Sequence, residues 1–534
     1  MCFFRTSSIN RVVIMATIVV GLLGGCITRT ADDLADREWV ELKSDHFIVY
    51  SEVGEFWSRR MLQRLEIFRS FVISHLDLAG ADNPLPFRIV LMRNASSLQA
   101  IVPRTDIFGM YQTTYQGGMA LVDMSARAQD GTSSLEIIYT PSGPIYRART
   151  GTRPISMEGV LHEYVHHLLA NDTSRRYPLW FNEGYAEYLS TFDIAANGQA
   201  IVGQAPMHRV EALQKARWIP LDRLFQVKGY EEGHGYGDFY AQAWAVVHYM
   251  LADTERAEQT DRFLDQLNEG EDLIAAFETS FDMPLQQMSA GARSRAKSRR
   301  TSSRRLSFET EIASDAVPRL LSLDERSVLL AEMILTFSPD RRVALPHLQQ
   351  ALQYNVANIR ARALLAGLHM YYGEDQLALD TLNGASDDAM DADIQCQFGH
   401  FYADKAIVAV QERDPKFAGW IDEARRHYEA AISIDENHVE AYVGLGRTYI
   451  LTDAKDAQRG FDALNAAFEL LPTNMETQLL LGHMLFASGQ YEAAENAYQE
   501  VISWSRDAQT INSAQDMVGM IEENRLQYGK ALEN

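Results

Sequence analysis

From about residue 310 to its end the chain repeats a short pattern, and that repeat limits what this half can become. The runs Ala363–Tyr371, Gln397–Tyr402, Ala441–Tyr449 and Leu479–Leu485 place bulky apolar residues around a glycine. Those glycines, Gly367, Gly399, Gly446 and Gly482, are 32, 47 and 36 residues apart. A second set follows: Ala424 with Tyr428, Ala457 with Phe461 and Ala494 with Tyr498, at intervals of 33 and 37. Residues four apart share one face of a helix. The small residue lets two helices approach, and the aromatic fills the gap to the next unit. A helix pair of this length cannot bury its apolar face alone, so the units must stack. The expectation is an all-α solenoid over residues 326–530. The interval of 47 implies an insertion near Asp404–Gly419. Residues 326–355 read as a further, degenerate unit, and Pro472 closes one.

The pattern resembles the tetratricopeptide repeat (TPR), whose period is 34. That resemblance implies a protein partner or peptide on the concave face and no chemistry in the repeats themselves.

Residues 38–300 lack the repeat and mix α with β. His46–Tyr50, Pro86–Met92 and Gly118–Asp123 read as strands. Phe56–Leu76 has helical apolar spacing. Ser156 is placed to N-cap a helix through Leu169, and Asn182–Leu189 and Tyr240–Leu251 continue as helices. Residues 301–325 are expected to be a linker. Six Arg and one Lys crowd residues 291–305: Arg293, Arg295, Lys297, Arg299, Arg300, Arg304 and Arg305. They read as a solvated helix end, with attraction to anionic phospholipid as the remaining use. Over the whole chain 72 acidic residues face 49 basic ones, a net charge of −23. That balance excludes a non-specific nucleic-acid binder.

The N-terminus carries an address. Arg5 and Arg11 come first, then Val12–Leu23 is almost wholly apolar. Such a segment is a secretory signal, short for a membrane span. It ends Leu23-Gly24-Gly25-Cys26, which resembles a bacterial lipobox. The resemblance implies that residues 1–25 leave as signal peptide and that Cys26 is lipidated. The remainder carries a net charge of −25. Residues 26–37 are then a tether, spanning about 40 Å if extended. Ile27 after the cysteine resembles the default sorting pattern to the periplasmic face of the outer membrane. Of the three cysteines, only Cys396 is left as a thiol, and it reads as a buried core residue.

The residues that point to chemistry are His162-Glu163-Tyr164-Val165-His166. Two histidines four apart on a helix can reach one metal ion. Glu163 sits beside that ion's water without being a ligand. Val160, Leu161, Tyr164 and Leu168 make the other face apolar, as a buried active-site helix requires.

Sixteen residues separate His166 from Glu183, which lies in Trp180-Phe-Asn-Glu-Gly-Tyr-Ala186. This resembles the Trp-x-x-Glu-Gly-x-Ala segment of gluzincin metallopeptidases of the aminopeptidase-N-like and peptidase-MA-like groups. The gap is slightly short for them. The resemblance implies an α+β zincin-like metallopeptidase domain ahead of the all-α TPR solenoid. It implies one Zn2+ held by His162, His166 and Glu183, with Glu163 as general base in peptide hydrolysis. Glu187, four residues past Glu183, becomes a partner for a ligand histidine. Tyr240 resembles the tyrosine that steadies the oxyanion, with Tyr236 and His234 as rivals. The edge strand that grips substrate in this family is expected at Gly117–Asp123. No Gly-Ala-Met-Glu-Asn segment for a free N-terminus is present, which favours an endopeptidase. The combined expectation is a lipid-anchored zinc metallopeptidase whose repeats recruit protein substrate or a partner. Its alternative is a non-catalytic scaffold lipoprotein on a degenerate peptidase fold.

Overall fold

A computed structural model describes residues 32–532, apart from 77–82, 104–108, 126–132, 141–142, 151–154, 173, 228–235, 298–302, 309–315, 386–390, 453–456, 473 and 506. The signal segment, Cys26, His234, Arg299 and Arg300 lie outside the described residues. Its strands in chain order are β1 (Val40–Lys43), β2 (Phe47–Ser51), β3 (Phe87–Met92), β4 (Gly109–Thr114), β5 (Gly117–Asp123), β6 (Ser133–Thr140), β7 (Gly143–Thr150), β8 (Asp193–Ile194), β9 (Ala200–Val202), β10 (Arg304–Leu306) and β11 (Arg319–Leu320).

Six of them form one sheet in the order β11-β1-β2-β3-β5-β4. The β2-β3-β5 core is parallel, and β4 returns antiparallel on the outside. The central strands β3 and β5 are buried along their whole length, which is why they read as nearly continuous apolar runs. Here one expectation is corrected. Gly117–Asp123 is an internal strand, and the edge belongs to β4, whose residues are half-buried or exposed. Both faces of β5 are covered, so its seven buried residues suit a centre and not a rim.

Helix Glu55–His75 and helix Ile155–Ala170 cover one face of this sheet. Ser156 falls inside the first turn of the second helix, which begins two residues earlier than an N-cap at Ser156 implies. Its buried residues Val160, Leu161, Val165 and Leu168 pack in one cluster with Phe47, Phe68 and Phe87. Tyr164 meets those three rings at centroid distances of 4.9, 6.0 and 5.2 Å. Strands β6 and β7 pair as an antiparallel hairpin, an element that hydrophobic patterning does not announce.

The expected linker, residues 301–325, is not free. It carries β10, which joins β8 and β9, and β11, which pairs with β1. Both pairings tie the chain back to the first domain before the solenoid starts. The expected tether also ends in structure: helix Asp32–Ala35 buries Leu34, and Trp39 is fully buried beside it.

Among the described residues the C-terminal part is five helix pairs and a last long helix. The pairs are Leu323–Phe337 with Ala344–Tyr354, Ile359–Tyr371 with Asp375–Asn383, Ala392–Glu412 with Phe417–Ile434, Val439–Ile450 with Ala457–Leu470, and Met475–Ala487 with Tyr491–Trp504. Ala508–Leu532 follows. The long interval in the repeat is a lengthening of helix Ala392–Glu412 to 21 residues. The glycines are where rings land. A Cβ on Gly399 or Gly444 would sit 2.5 or 2.4 Å from the Tyr428 ring, and one on Gly482 would sit 2.6 Å from Tyr498.

The solenoid is docked on the sheet, not strung beside it. Val90, Met92, Met119 and Leu121 share one core with Leu330, Ile334, Leu365 and Leu368 of the first helices of two pairs. Leu85 packs with Val439 and Val443. Tyr115, at the β4–β5 turn, donates its hydroxyl to Glu476 at 2.6 Å. The first helices of four pairs are thus partly covered by the chain's own first domain. Among the described residues no helix is long and apolar enough to cross a membrane.

Candidate metal centre

The helix Ile155–Ala170 turns His162 and His166 to one side, with ring centroids 4.6 Å apart. Helix Leu179–Ser190 lies across it and brings Glu183. The two Nε2 atoms are 3.0 Å apart, and Glu183 Oε2 is 3.3 Å from each. Zinc with nitrogen and oxygen donors at about 2.0–2.1 Å has tetrahedral edges of roughly 3.3 Å, so these three atoms already have the spacing of three corners. Two imidazoles and a carboxylate leave a fourth position open, the donor set of catalytic rather than structural sites.

The far side of each imidazole is also arranged. His166 donates Nδ1–H to Asn182 Oδ1, and His162 Nδ1 faces Glu187 Oε1 at 3.5 Å. Both contacts fix the tautomer that presents Nε2 to the centre. Glu187 had been expected in this place. Asn182 had not, although its position beside Glu183 on the same helix was a signal. Arg209 was also missed: its guanidinium donates to Glu187 at 2.6 Å. It comes from helix Met207–Lys215, whose nearness no spacing announces.

Charge follows from these contacts. Burial pushes the Glu183 carboxyl up, but His166 and His162 outweigh it and hold the group well below its ordinary range. Burial likewise raises Glu187, and Arg209 with His162 brings it down on balance. Glu163 has less compensation. Burial raises it to about 7, with His166 opposing and Glu183 and Glu187 adding to the rise.

Close packing holds the helices in register. A Cβ on Gly184 would meet Ala243 O at 2.5 Å, so Leu179–Ser190 and Tyr236–Met250 cross with no room for a side chain. Gly109 of β4 has the same relation to Glu163, whose Oε1 lies 2.8 Å from where a Cβ would be. The edge strand therefore passes its backbone directly by the carboxylate.

Tyr240 stands in the same cavity, its ring 6.3 Å from His162 and 5.0 Å from the Arg209 guanidinium. Tyr236 opens that helix, and His234 lies outside the described residues. The cavity holds about 1020 Å³. One wall is β4. The solenoid also lines the cavity, through Met475, Glu476, Trp504 and Asp507.

Residues 156–272 match the family described as protein of unknown function DUF1570, a span that contains the whole donor set. Residues 476–507 match the tetratricopeptide repeat and coincide with the last helix pair. No curated protein matches the chain. Among solved structures it is similar to a thermophilic TPR protein from Thermus thermophilus, at 17% identity over 40% of this chain and 100% of that one, TM-score 0.30. It is also similar to PilF of Pseudomonas aeruginosa, at 17% identity over 39% and 92%, TM-score 0.29. A third is YrrB, described as a TPR protein with an unusual peptide-binding site, at 17% over 36% and 91%, TM-score 0.25. The C-terminal half is a helical solenoid of tetratricopeptide type, joined to an N-terminal α+β domain.

Proposed function

We propose that this chain is a zinc-dependent endopeptidase of the zincin-like, gluzincin type. The observation that carries the proposal is the triangle of His162 Nε2, His166 Nε2 and Glu183 Oε2, with edges of 3.0, 3.3 and 3.3 Å, opening into a cavity beside Glu163. A zinc ion bound there supplies a Lewis acid for a peptide carbonyl and acidifies water. Glu163 takes a proton from the attacking water and later returns it to the leaving amine. Tyr240 donates its phenol O–H to the developing oxyanion. The substrate backbone adds to the open edge of β4, which runs past Glu163. The mixed sheet with an antiparallel rim strand over the motif helix supports the same reading.

The repeats recruit protein substrate, and Cys26 holds the enzyme to the lipid of the cell envelope, at the periplasmic face of the outer membrane. Mass spectrometry of the N-terminal peptide tests the anchor: an unmodified Met1 or Cys26 rejects it. For the chemistry, Glu163→Gln is expected to keep zinc and lose about 10²–10⁴-fold in hydrolysis of an unfolded protein substrate. Glu183→Ala is expected to lose both zinc and activity. A folded, zinc-supplied wild type without metal at these residues would leave the scaffold reading in its place.

A further inference from the structure

A second set of metal-ligating side chains lies in the solenoid, on elements separate from the first. Cys396 and His400 are four apart on helix Ala392–Glu412, and Glu440 comes from the first turn of the next pair's helix, Val439–Ile450. Their donor atoms all lie within 4.8 Å of one another. Cys396 Sγ is 3.5 Å from His400 Nε2, which is 3.1 Å from Glu440 Oε1. For zinc with sulfur at about 2.3 Å and nitrogen or oxygen at about 2.0–2.1 Å, tetrahedral edges are roughly 3.6 Å for S···N and 3.3 Å for N···O. The observed spacings fall on those edges.

The repeat itself explains how His400 is held. Tyr428 lies on Gly399 and contacts His400 Nδ1 through its hydroxyl at 2.8 Å. The same arrangement recurs two pairs on, where Tyr498 lies on Gly482 and contacts His483 Nδ1 at 2.8 Å. The tyrosine–histidine contact is thus part of the scaffold, and at His400 it leaves Nε2 facing Cys396 and Glu440. Four residues before His483 stands Leu479, which has no atom to give a metal. Four residues before His400 stands Cys396, and there a carboxylate of the following pair arrives as well. Of the neighbouring carboxylates, Asp393 is held elsewhere: it pairs with Arg360 at 2.8 Å and with His438 at 3.3 Å.

We propose that Cys396, His400 and Glu440 form a zinc site that clips helix Ala392–Glu412 to helix Val439–Ile450. Zinc replaces the thiol proton, which leaves to solvent, and the bound thiolate forms the Zn–S bond. The Tyr428 contact at Nδ1 is the outer partner that a ligating histidine needs. The side chains of His400 and Glu440 are 23% and 32% exposed, which gives the ion an entry to the buried Cys396. The ion would tie two units whose junction contains the longest helix pair of the solenoid.

The test is metal stoichiometry on the full chain, loaded with zinc and dialysed, for wild type, Cys396→Ser, Glu440→Gln, His483→Ala and Glu183→Ala. The expected result is one zinc fewer in Cys396→Ser and in Glu440→Gln than in wild type, with His483→Ala unchanged. The count separates this site from the catalytic reading. If both stand, wild type holds two and Glu183→Ala one. If only the solenoid site stands, wild type and Glu183→Ala hold one and Cys396→Ser none. Cobalt loading gives an independent readout, a thiolate-to-cobalt charge-transfer band that Cys396→Ser abolishes and Glu183→Ala keeps. The same zinc count in wild type, Cys396→Ser and Glu440→Gln, with no thiolate band in the wild type, would overturn the proposal.

Discussion

At the scale of single residues the centre divides into what spacing can announce and what it cannot. His162 and His166 are four apart because a helix brings every fourth residue to one face, and Glu163 follows from the same motif. Glu183 needed the resemblance, since sixteen residues of chain fix no direction. Asn182 and Arg209 set the tautomer of one histidine and the charge of Glu187, yet they act through tertiary contacts. Tyr240 is the residue whose role most depends on chemistry rather than position. Its hydroxyl is the only part that a phenylalanine lacks. In the proposed mechanism Tyr240→Phe removes one oxyanion donor, which elsewhere costs about 10²–10³ in turnover. We expect kcat to fall by about that factor with KM and zinc content unchanged. A full-rate Tyr240→Phe enzyme would return the role to Tyr236 or His234.

At the scale of elements the solenoid was the most legible part, because each helix pair restates the same small and aromatic positions. The sheet was legible as strands but not as an order. An apolar run such as Gly117–Asp123 announces burial, and only its neighbours decide that it is internal while β4 is the rim. The basic run was half legible. It reads as a charged helix end, but Arg295 turns inward and donates to His248 Nδ1 at 3.2 Å. His248 in turn donates from Nε2 to Gly203 O at 3.0 Å, so it is held neutral. Burial and Arg295 push its pKa down to about 4. An unfolded histidine titrates near about 6.5. Between those values the unfolded chain takes a proton that the folded chain refuses, so stability falls as pH drops through that window and nothing is lost above it. The loss reaches about 2–3 kcal/mol by pH 4. His248→Gln keeps a polar group and removes the titration. Its melting temperature is therefore expected to decline less than that of wild type between pH 6.5 and 4 on the same buffers. Parallel profiles for the two proteins would show that His248 contributes nothing to acid sensitivity.

At the scale of the whole molecule the two halves make one object, and this was the part least visible in the sequence. Contacts such as Leu85 with Val443, Tyr115 with Glu476, and Arg176 with Glu500 at 3.2 Å join residues hundreds of positions apart. Periodicity reports only what lies within a turn or a repeat. The consequence is that the last repeat walls the cavity that holds the proposed catalytic centre. On the proposed mechanism, a substrate held by β4 lies in a cavity that Trp504 and Asp507 also line. The proposed recruitment by the repeats and the proposed hydrolysis by the first domain would then share one cavity, with no transfer between separate sites. Trp504 distinguishes this from simple tethering. An aromatic contact of this kind contributes about 0.5–1.5 kcal/mol beyond its area, or roughly a two- to tenfold change in binding. Trp504→Ala is therefore expected to raise KM by that factor for an unfolded protein substrate and to leave kcat alone. A peptide of a few residues, held only at β4 and the metal centre, should show no change in either constant. Equal losses for the short peptide and the long substrate would mean that Trp504 supports the fold of the cavity and does not touch what enters it.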